Sequence, residues 1–292
     1  MTSFPHLAQR LFNTPLAILP GKAEVVMAAL ADRFGVARLF RGNGEMVMFD
    51  SSDEDIIYSE RRETNRDSSY ATVGGVAILP VSGTLVAKLG SLSPFSGMTG
   101  YDGVRQNFLV AQADPAVEAI VLDIDSPGGE VSGCFDLVDT IFAARGGKPV
   151  WAIQSENSYS AAYAIASACD RVFVPRTGGT GSVGVIYMHV DMSKALSTAG
   201  LEVTLITYGD LKADGTDVLP LSKRAFEQLL ADVTTVGELF VDTVARNRGL
   251  KASVVRGTQA TTFLGAQGVE IGFADAVMAP DAAFRALLAE LG

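Results

Sequence analysis

Ser160 stands between Tyr159 and the small pair Ala161-Ala162, where helical character begins, and Lys212 lies downstream in the loop 208–215. A serine hydroxyl is a nucleophile, and a lysine amine that has lost its proton is a base, so the two together can cleave an acyl bond. The run Thr177-Gly178-Gly179-Thr180-Gly181-Ser182-Val183-Gly184 supplies a further hydroxyl, Ser182, which could serve as a hydrogen-bonding support residue. Upstream, Asp125-Ser126-Pro127-Gly128-Gly129 offers paired glycines whose N–H groups can approach a ligand closely. A helix expected directly behind it adds the positive end of its dipole. That suits an oxyanion hole, which the N–H of Ala161 could join.

Each of these signals has a plainer reading. Paired glycines make a tight strand-to-helix turn. A serine at a helix start is by default an N-cap. The Gly-rich loop has no lysine after its glycines, so it is not a Walker A phosphate loop, and Ser182 fits equally well as a turn residue. A loop lysine is normally a solvated charge; it becomes a base only when removed from water, with Asp210 and Asp214 turned away from it.

The elements around these loops decide whether they can meet. Strands are expected over 76–85 (interrupted at Pro80), 119–124, 150–153, 171–174, 183–188 and 202–207. Helices are expected over 101–113, 131–144, 161–168, 192–198 and 222–247, the last closed by Gly249. Such alternation predicts an α/β fold with parallel sheets flanked by helices. In that fold class functional groups gather beyond the carboxyl ends of strands, where all four loops fall. The expected organisation is an N-terminal segment over 1–50 with a helix over 22–34, a polar linker over 51–72, a catalytic domain over 73–280, and a C-terminal helix over 281–292 that packs on its own core or serves as a subunit contact.

Composition narrows the function. Hydrophobic residues make up 48% of the 292 and charged residues 19%, which excludes wholesale disorder. A net charge of −10 disfavours a nucleic-acid surface. Two cysteines and two histidines are too few for a disulfide framework or a His-rich metal centre, and no cofactor is expected. The apolar stretch after Asn13 is broken by Pro20, Gly21, Lys22 and Glu24, so no membrane span and no export signal is expected, and the chain reads as cytoplasmic with reduced thiols.

Taken in order, Asp125-Ser126-Pro127-Gly128-Gly129, Ser160 before a helix, Thr180-Gly181-Ser182-Val183-Gly184 and Gly209-Asp210-Leu211-Lys212 resemble the signal peptide peptidase A family of serine proteases. The resemblance runs from about Val76 to Val277 and includes Phe263-Leu264-Gly265-Ala266-Gln267 ahead of Gly272-Phe273-Ala274-Asp275. Leu79-Pro80-Val81-Ser82-Gly83-Thr84-Leu85, Ser96-Gly97-Met98-Thr99-Gly100-Tyr101, Lys212-Ala213-Asp214-Gly215 and Phe12-Asn13-Thr14-Pro15-Leu16 are similar, more narrowly, to the lambda-type head-maturation proteases of tailed phages. The resemblance implies a crotonase/Clp-type fold and a Ser/Lys dyad. By position, Ser160 would be the nucleophile, Lys212 the general base, Ser182 the residue that orients Lys212, and the amides of Gly129 and Ala161 the oxyanion hole. Ala161-Ala162 stand where the bacterial enzymes carry a glycine pair, which predicts a narrower site. The resemblance also implies a homo-oligomer acting on scaffold, portal or capsid proteins, in the host cytoplasm or the procapsid interior. With the chain closing at Gly292, scaffolding is expected in a separate protein or not at all.

Rival readings remain. His189 could serve a Ser-His-Asp mechanism as in the Clp proteases. The fold could carry crotonase-like acyl-CoA chemistry. A bacterial-type signal-peptide or peptide-degrading peptidase shares the same dyad, and a non-enzymatic shell component could keep the fold alone.

Overall fold

The segment Ala119-Ile120-Val121-Leu122 is apolar at every position, and a strand of that kind must be covered on both faces. The computed structural model describes residues 14–22, 70–89 and 97–292. The helix expected over 22–34, and nearly all of the N-terminal segment and linker, lie outside the described residues. The first elements in chain order are strands β1 (Pro15–Ile18), β2 (Ala71–Val73), β3 (Val76–Ser82), β4 (Thr84–Val86) and β5 (Met98–Gly100), then helix α1 (Tyr101–Ala113). There follow β6 (Ala119–Ser126), β7 (Gly128–Glu130), α2 (Cys134–Ala143), β8 (Val150–Ser158), α3 (Ala161–Ser167), β9 (Arg171–Val174), β10 (Gly179–Gly181) and β11 (Ile186–Tyr187). The chain continues through α4 (Ser193–Thr198), α5 (Lys223–Arg248), α6 (Ala252–Gly257), β12 (Thr262–Leu264), α7 (Ala266–Glu270), β13 (Ala276–Val277) and α8 (Pro280–Leu291).

A six-stranded sheet runs in the order β13-β9-β8-β6-β3-β2. Its first five strands are parallel to one another, and β2 closes the edge antiparallel to β3. Period-two alternation sends Ile120, Leu122, Val150 and Ala152 into the main core beneath α1, α2, α3 and the end of α5. Ala119, Val121, Trp151 and Ile153 face the other way, onto α8 through Ala283 and Leu287. Pro80 sits inside β3 without interrupting it, because β2 pairs only as far as Ile78 and the missing N–H can face the unpaired edge.

Strands β3 and β6 both run on past the large sheet. After Gly83 the chain becomes β4, and after Pro127 it becomes β7. These two, with β5, β1 and β11, form a second sheet in the order β11-β1-β7-β4-β5. It is thus built off the carboxyl ends of β3 and β6. Ser126 pins the corner: its Oγ donates to the Gly83 carbonyl at 2.7 Å and accepts from the Gly128 N–H at 3.2 Å.

Further local expectations need correction, and the strand expected over 183–188 forms only at Ile186–Tyr187. The helix expected from 131 starts only at Cys134, because Gly128–Glu130 is a strand held by β4 and β1. The paired glycines therefore lie in a strand between β1 and β4, and no helix dipole stands directly behind them. The strand expected over 202–207 does not form; this stretch has no regular structure, and Leu201, Val203, Leu205, Ile206 and Tyr208 are exposed. Its alternation is that of a strand, but no described strand lies beside it.

Candidate active site

The turn from β8 into α3 carries Ser160. Its backbone is at φ 55°, ψ −121°, a region that disfavours any residue with a Cβ. The hydroxyl makes no capping bond to the helix, so the N-cap explanation does not hold. Instead Oγ points to the Gly184 carbonyl at 3.5 Å, a long contact that leaves the hydroxyl available. The residue is 1% exposed. Ala161 is the first residue of α3, where an N–H has no intrahelical acceptor. All seven residues of α3 are buried, so the turn rests on packed core.

Ser182 lies against this turn. The Ser160 N–H donates to the Gly181 carbonyl at 2.8 Å, which ties the two serine loops together. Ser182 also has a positive φ, 55°, and its N–H donates to the Thr261 carbonyl at 3.0 Å. Among the described residues four non-glycines have positive φ: Ser160, Ser182, Gln259 and Ala260. The last two precede Thr261, and a Cβ built on Gly184 would meet that of Ala260 at 2.7 Å. Strain in the described backbone is therefore concentrated around the two serines, as it is at functional sites generally.

Gly129 sits in β7 with its Cα against β4: a Cβ there would fall 1.8 Å from the Leu85 carbonyl oxygen. Gly128, at φ 99°, lies beside the Ser160 turn, and a Cβ on it would stand 3.0 Å from Ser160 Cβ. The structure thus brings Ser160, Ala161, Ser182 and the Gly128-Gly129 pair to one place at the carboxyl ends of β6 and β8.

Lys212 stands apart. It lies in turns over 209–216, exposed, and no hydrogen bond joins it to either serine among the described residues. Of its acidic neighbours, Asp214 is taken by Arg224, through Nε at 2.8 Å and Nη2 at 2.9 Å. That guanidinium also reaches the Asp210 carbonyl at 3.0 Å. His189 follows β11, and both of its ring nitrogens are buried with no hydrogen-bond partner. A catalytic histidine needs one nitrogen oriented by a partner, and here neither is.

Three contributors were missed in sequence: β1, the Gly184 carbonyl, and the 259–261 turn. For β1 the signal was present as the short apolar run Leu16-Ala17-Ile18 between Pro15 and Pro20. Among the described residues there is no cluster of three or more metal-ligating side chains and no helix long and apolar enough to cross a membrane.

The model of the family described as Peptidase family S49 matches residues 143–291, which include Ser160, Ser182 and Lys212. The chain is 39% identical over 274 residues to the head-tail preconnector protein GP5 of Enterobacteria phage P21, covering 92% of this chain and 54% of that protein. It is 37% identical over 277 residues to the capsid assembly protease C of Escherichia phage lambda, covering 94% of this chain and 63% of that protein. Protease 4 of Haemophilus influenzae is 23% identical over 216 residues, 73% of this chain and 34% of its own length. The chain therefore spans between half and two thirds of the length of the two phage relatives.

Proposed function

The chain belongs to peptidase family S49, and on that premise we propose that it is a serine endopeptidase with a Ser160/Lys212 dyad on a crotonase/Clp-type framework. The observation that carries this reading is the strained turn at Ser160, whose hydroxyl caps nothing and makes only a long contact with the Gly184 carbonyl. Neutral Lys212 takes the Ser160 proton, and Oγ attacks the peptide carbonyl. The negative oxygen that forms is held by the amides of Gly129 and Ala161, and the proton passes to the leaving amine. Water then hydrolyses the acyl-enzyme. Ser182 orients the lysine.

A lysine works as a base only when drawn out of water, and in one copy Lys212 is exposed. The segment leading to it exposes Ile206, Tyr208 and Leu211, and over 223–239 of α5 only Ala225 is buried, with Phe226 and Leu230 open to solvent. An apolar surface of that extent favours association. The working enzyme is accordingly a homo-oligomer in which a neighbouring copy covers this surface.

The phage relatives point to proteins of head assembly as substrates, namely scaffold, portal or capsid proteins, cut in the host cytoplasm or inside the procapsid. The test is intact mass spectrometry of wild type and Ser160→Ala incubated with the scaffold and portal proteins encoded beside it. Cleavage by wild type alone supports the reading. Cleavage by both variants overturns Ser160 as nucleophile, and cleavage by neither favours a shell component.

A further inference from the structure

Strand β1 comes from far along the chain yet sits inside the second sheet, antiparallel to β11 on one side and to β7 on the other. Its register places Leu16 opposite Glu130, Ala17 opposite Gly129 and Ile18 opposite Gly128. Two backbone bonds bracket these pairs. The Leu19 N–H donates to the Pro127 carbonyl at 2.8 Å, and the Val131 N–H to the Pro15 carbonyl at 3.5 Å. Hydrogen-bonded pairs alternate along an antiparallel ladder, so Ala17 and Gly129 fall at a bonded position, with the Gly129 N–H facing the Ala17 carbonyl. That N–H is the one assigned above to the oxyanion hole.

The same carbonyl and the Ser160 turn both border Gly128. A Cβ built on Gly128 would stand 2.2 Å from the Ala17 oxygen and 3.0 Å from Ser160 Cβ. Leu16 and Ile18, 2% and 3% exposed, pack against Ile186 and Met188. Ala17, fully buried, belongs to the main core cluster on the opposite side. An extended peptide held between two strands, with alternate side chains in pockets, is recognition by strand addition.

We infer that Pro15, Leu16, Ala17, Ile18 and Leu19 are a built-in occupant of the peptide groove, bound as a substrate is, with the Ala17–Ile18 bond presented to Ser160. The inference rests on the Ser160 reading and deepens it by naming a substrate class: an extended segment with a small residue before the cut bond and aliphatic side chains on either side. In the cut itself, Ser160 Oγ bonds to the Ala17 carbonyl carbon. The bond to the Ile18 nitrogen breaks, and that nitrogen takes the proton that left the hydroxyl. Water then hydrolyses the ester to an Ala17 carboxylate and frees Ser160. A tethered occupant competes at an effective concentration of about millimolar, so the groove is open to other peptides only for the fraction of time the strand is out.

The test follows Ser160 labelling by a fluorophosphonate in the full chain, read by intact mass for wild type, Ser160→Ala and Leu16→Asp/Ile18→Asp. With the groove at least nine-tenths occupied, the double variant should label about tenfold faster than wild type, and Ser160→Ala should not label. Equal rates in wild type and the double variant overturn the occupant and leave the nucleophile standing. No labelling in any variant overturns the nucleophile itself. Because two aspartates could disturb the sheet, a synthetic peptide of residues 12–22 is added to the double variant once its melting transition is verified. It should restore slow labelling at millimolar concentration, and the same peptide with Ala17→Trp should not. A folded variant indifferent to both peptides overturns the inference. Mass spectrometry of stored protein adds the register: a new N-terminus at Ile18 in wild type but not in Ser160→Ala supports it, and a Ser160-dependent cut elsewhere in 1–70 overturns it.

Discussion

The backbone N–H of Ser160 donates to the carbonyl of Gly181 at 2.8 Å, which ties the Ser160 turn to the Ser182 loop. Ser160 is held in a conformation that glycine would adopt without penalty. Relief of such strain is worth roughly 1 kcal/mol. Ser160→Gly should therefore melt about 2–4 °C above Ser160→Ala, while both lose activity by roughly a million-fold. Calorimetry of the two variants checks this, and equal melting temperatures would refute the strain.

Lys212→Ala should lower turnover by about 10²- to 10⁴-fold, the usual contribution of a general base. His189→Ala should leave it within a few-fold of wild type, since neither ring nitrogen is oriented by a partner. The reverse ranking in a peptide-cleavage assay would transfer the base role to His189.

Gly129→Ala places a methyl 1.8 Å from the Leu85 carbonyl oxygen, a clash with backbone that no side-chain rotation relieves. Turnover should fall by about 100- to 1000-fold as the oxyanion donor is displaced. Binding of an apolar peptide measured on the inactive Ser160→Ala background should weaken far less.

Asp275 accepts two bonds from Arg248, at 2.8 and 3.1 Å, and one from the Val172 N–H at 2.6 Å, holding the end of α5 to β9. The Arg248 side chain is 8% exposed. Asp275→Ala strips that cation of its carboxylate, leaving it the Gly272 carbonyl at 3.0 Å, and leaves an amide unpaired, and should cost about 3 kcal/mol in urea unfolding. A loss below about 1 kcal/mol would mean that water replaces the carboxylate.

Burial pushes the Cys134 thiol up to about 12, against a smaller lowering by its hydrogen bond with Tyr101, and burial raises Cys169 as well. An unfolded thiol ionises near 8.5. Between that pH and about 12 the folded chain holds protons that the unfolded chain has lost, so these groups stabilise fully below about 8.5 and progressively less above it. Urea midpoints should fall from pH 8.5 to 10.5, and iodoacetamide should modify neither thiol at pH 8 without denaturant. Rapid labelling of the native protein would refute their burial.

Some elements were legible because their signals are local. Ser222 accepts the Ala225 N–H at 3.1 Å, and Gly249 closes α5 at φ 65°, so a cap and a stop residue suffice to bound that helix. The loops at 125–129, 157–160 and 177–184 were equally readable, since each lies at or just past the end of a strand, whereas the loop at 208–215 follows no strand. Strand β1 was not, because its partners are residues 128–130 and 186–187 and no local pattern encodes so distant a pairing. The apolar alternation over 201–205 shows a segment suited to pairing but not where its partner is. Nor does the letter at position 160 carry its φ; only the folded turn shows that its side chain makes no capping bond.

The Ser160 turn depends on chain that is made late. Ser182 is held by Thr261, Tyr163 of α3 donates its hydroxyl to the Phe273 carbonyl at 3.0 Å, and β9 gains its outer neighbour only from Ala276 and Val277. On the ribosome, the first 200 residues can emerge with Ser160 already translated and still lack these supports. On the proposed chemistry the site is complete only once about residue 277 has left the exit tunnel, and a translation product cut short before that point carries Ser160 without the contacts that hold its turn.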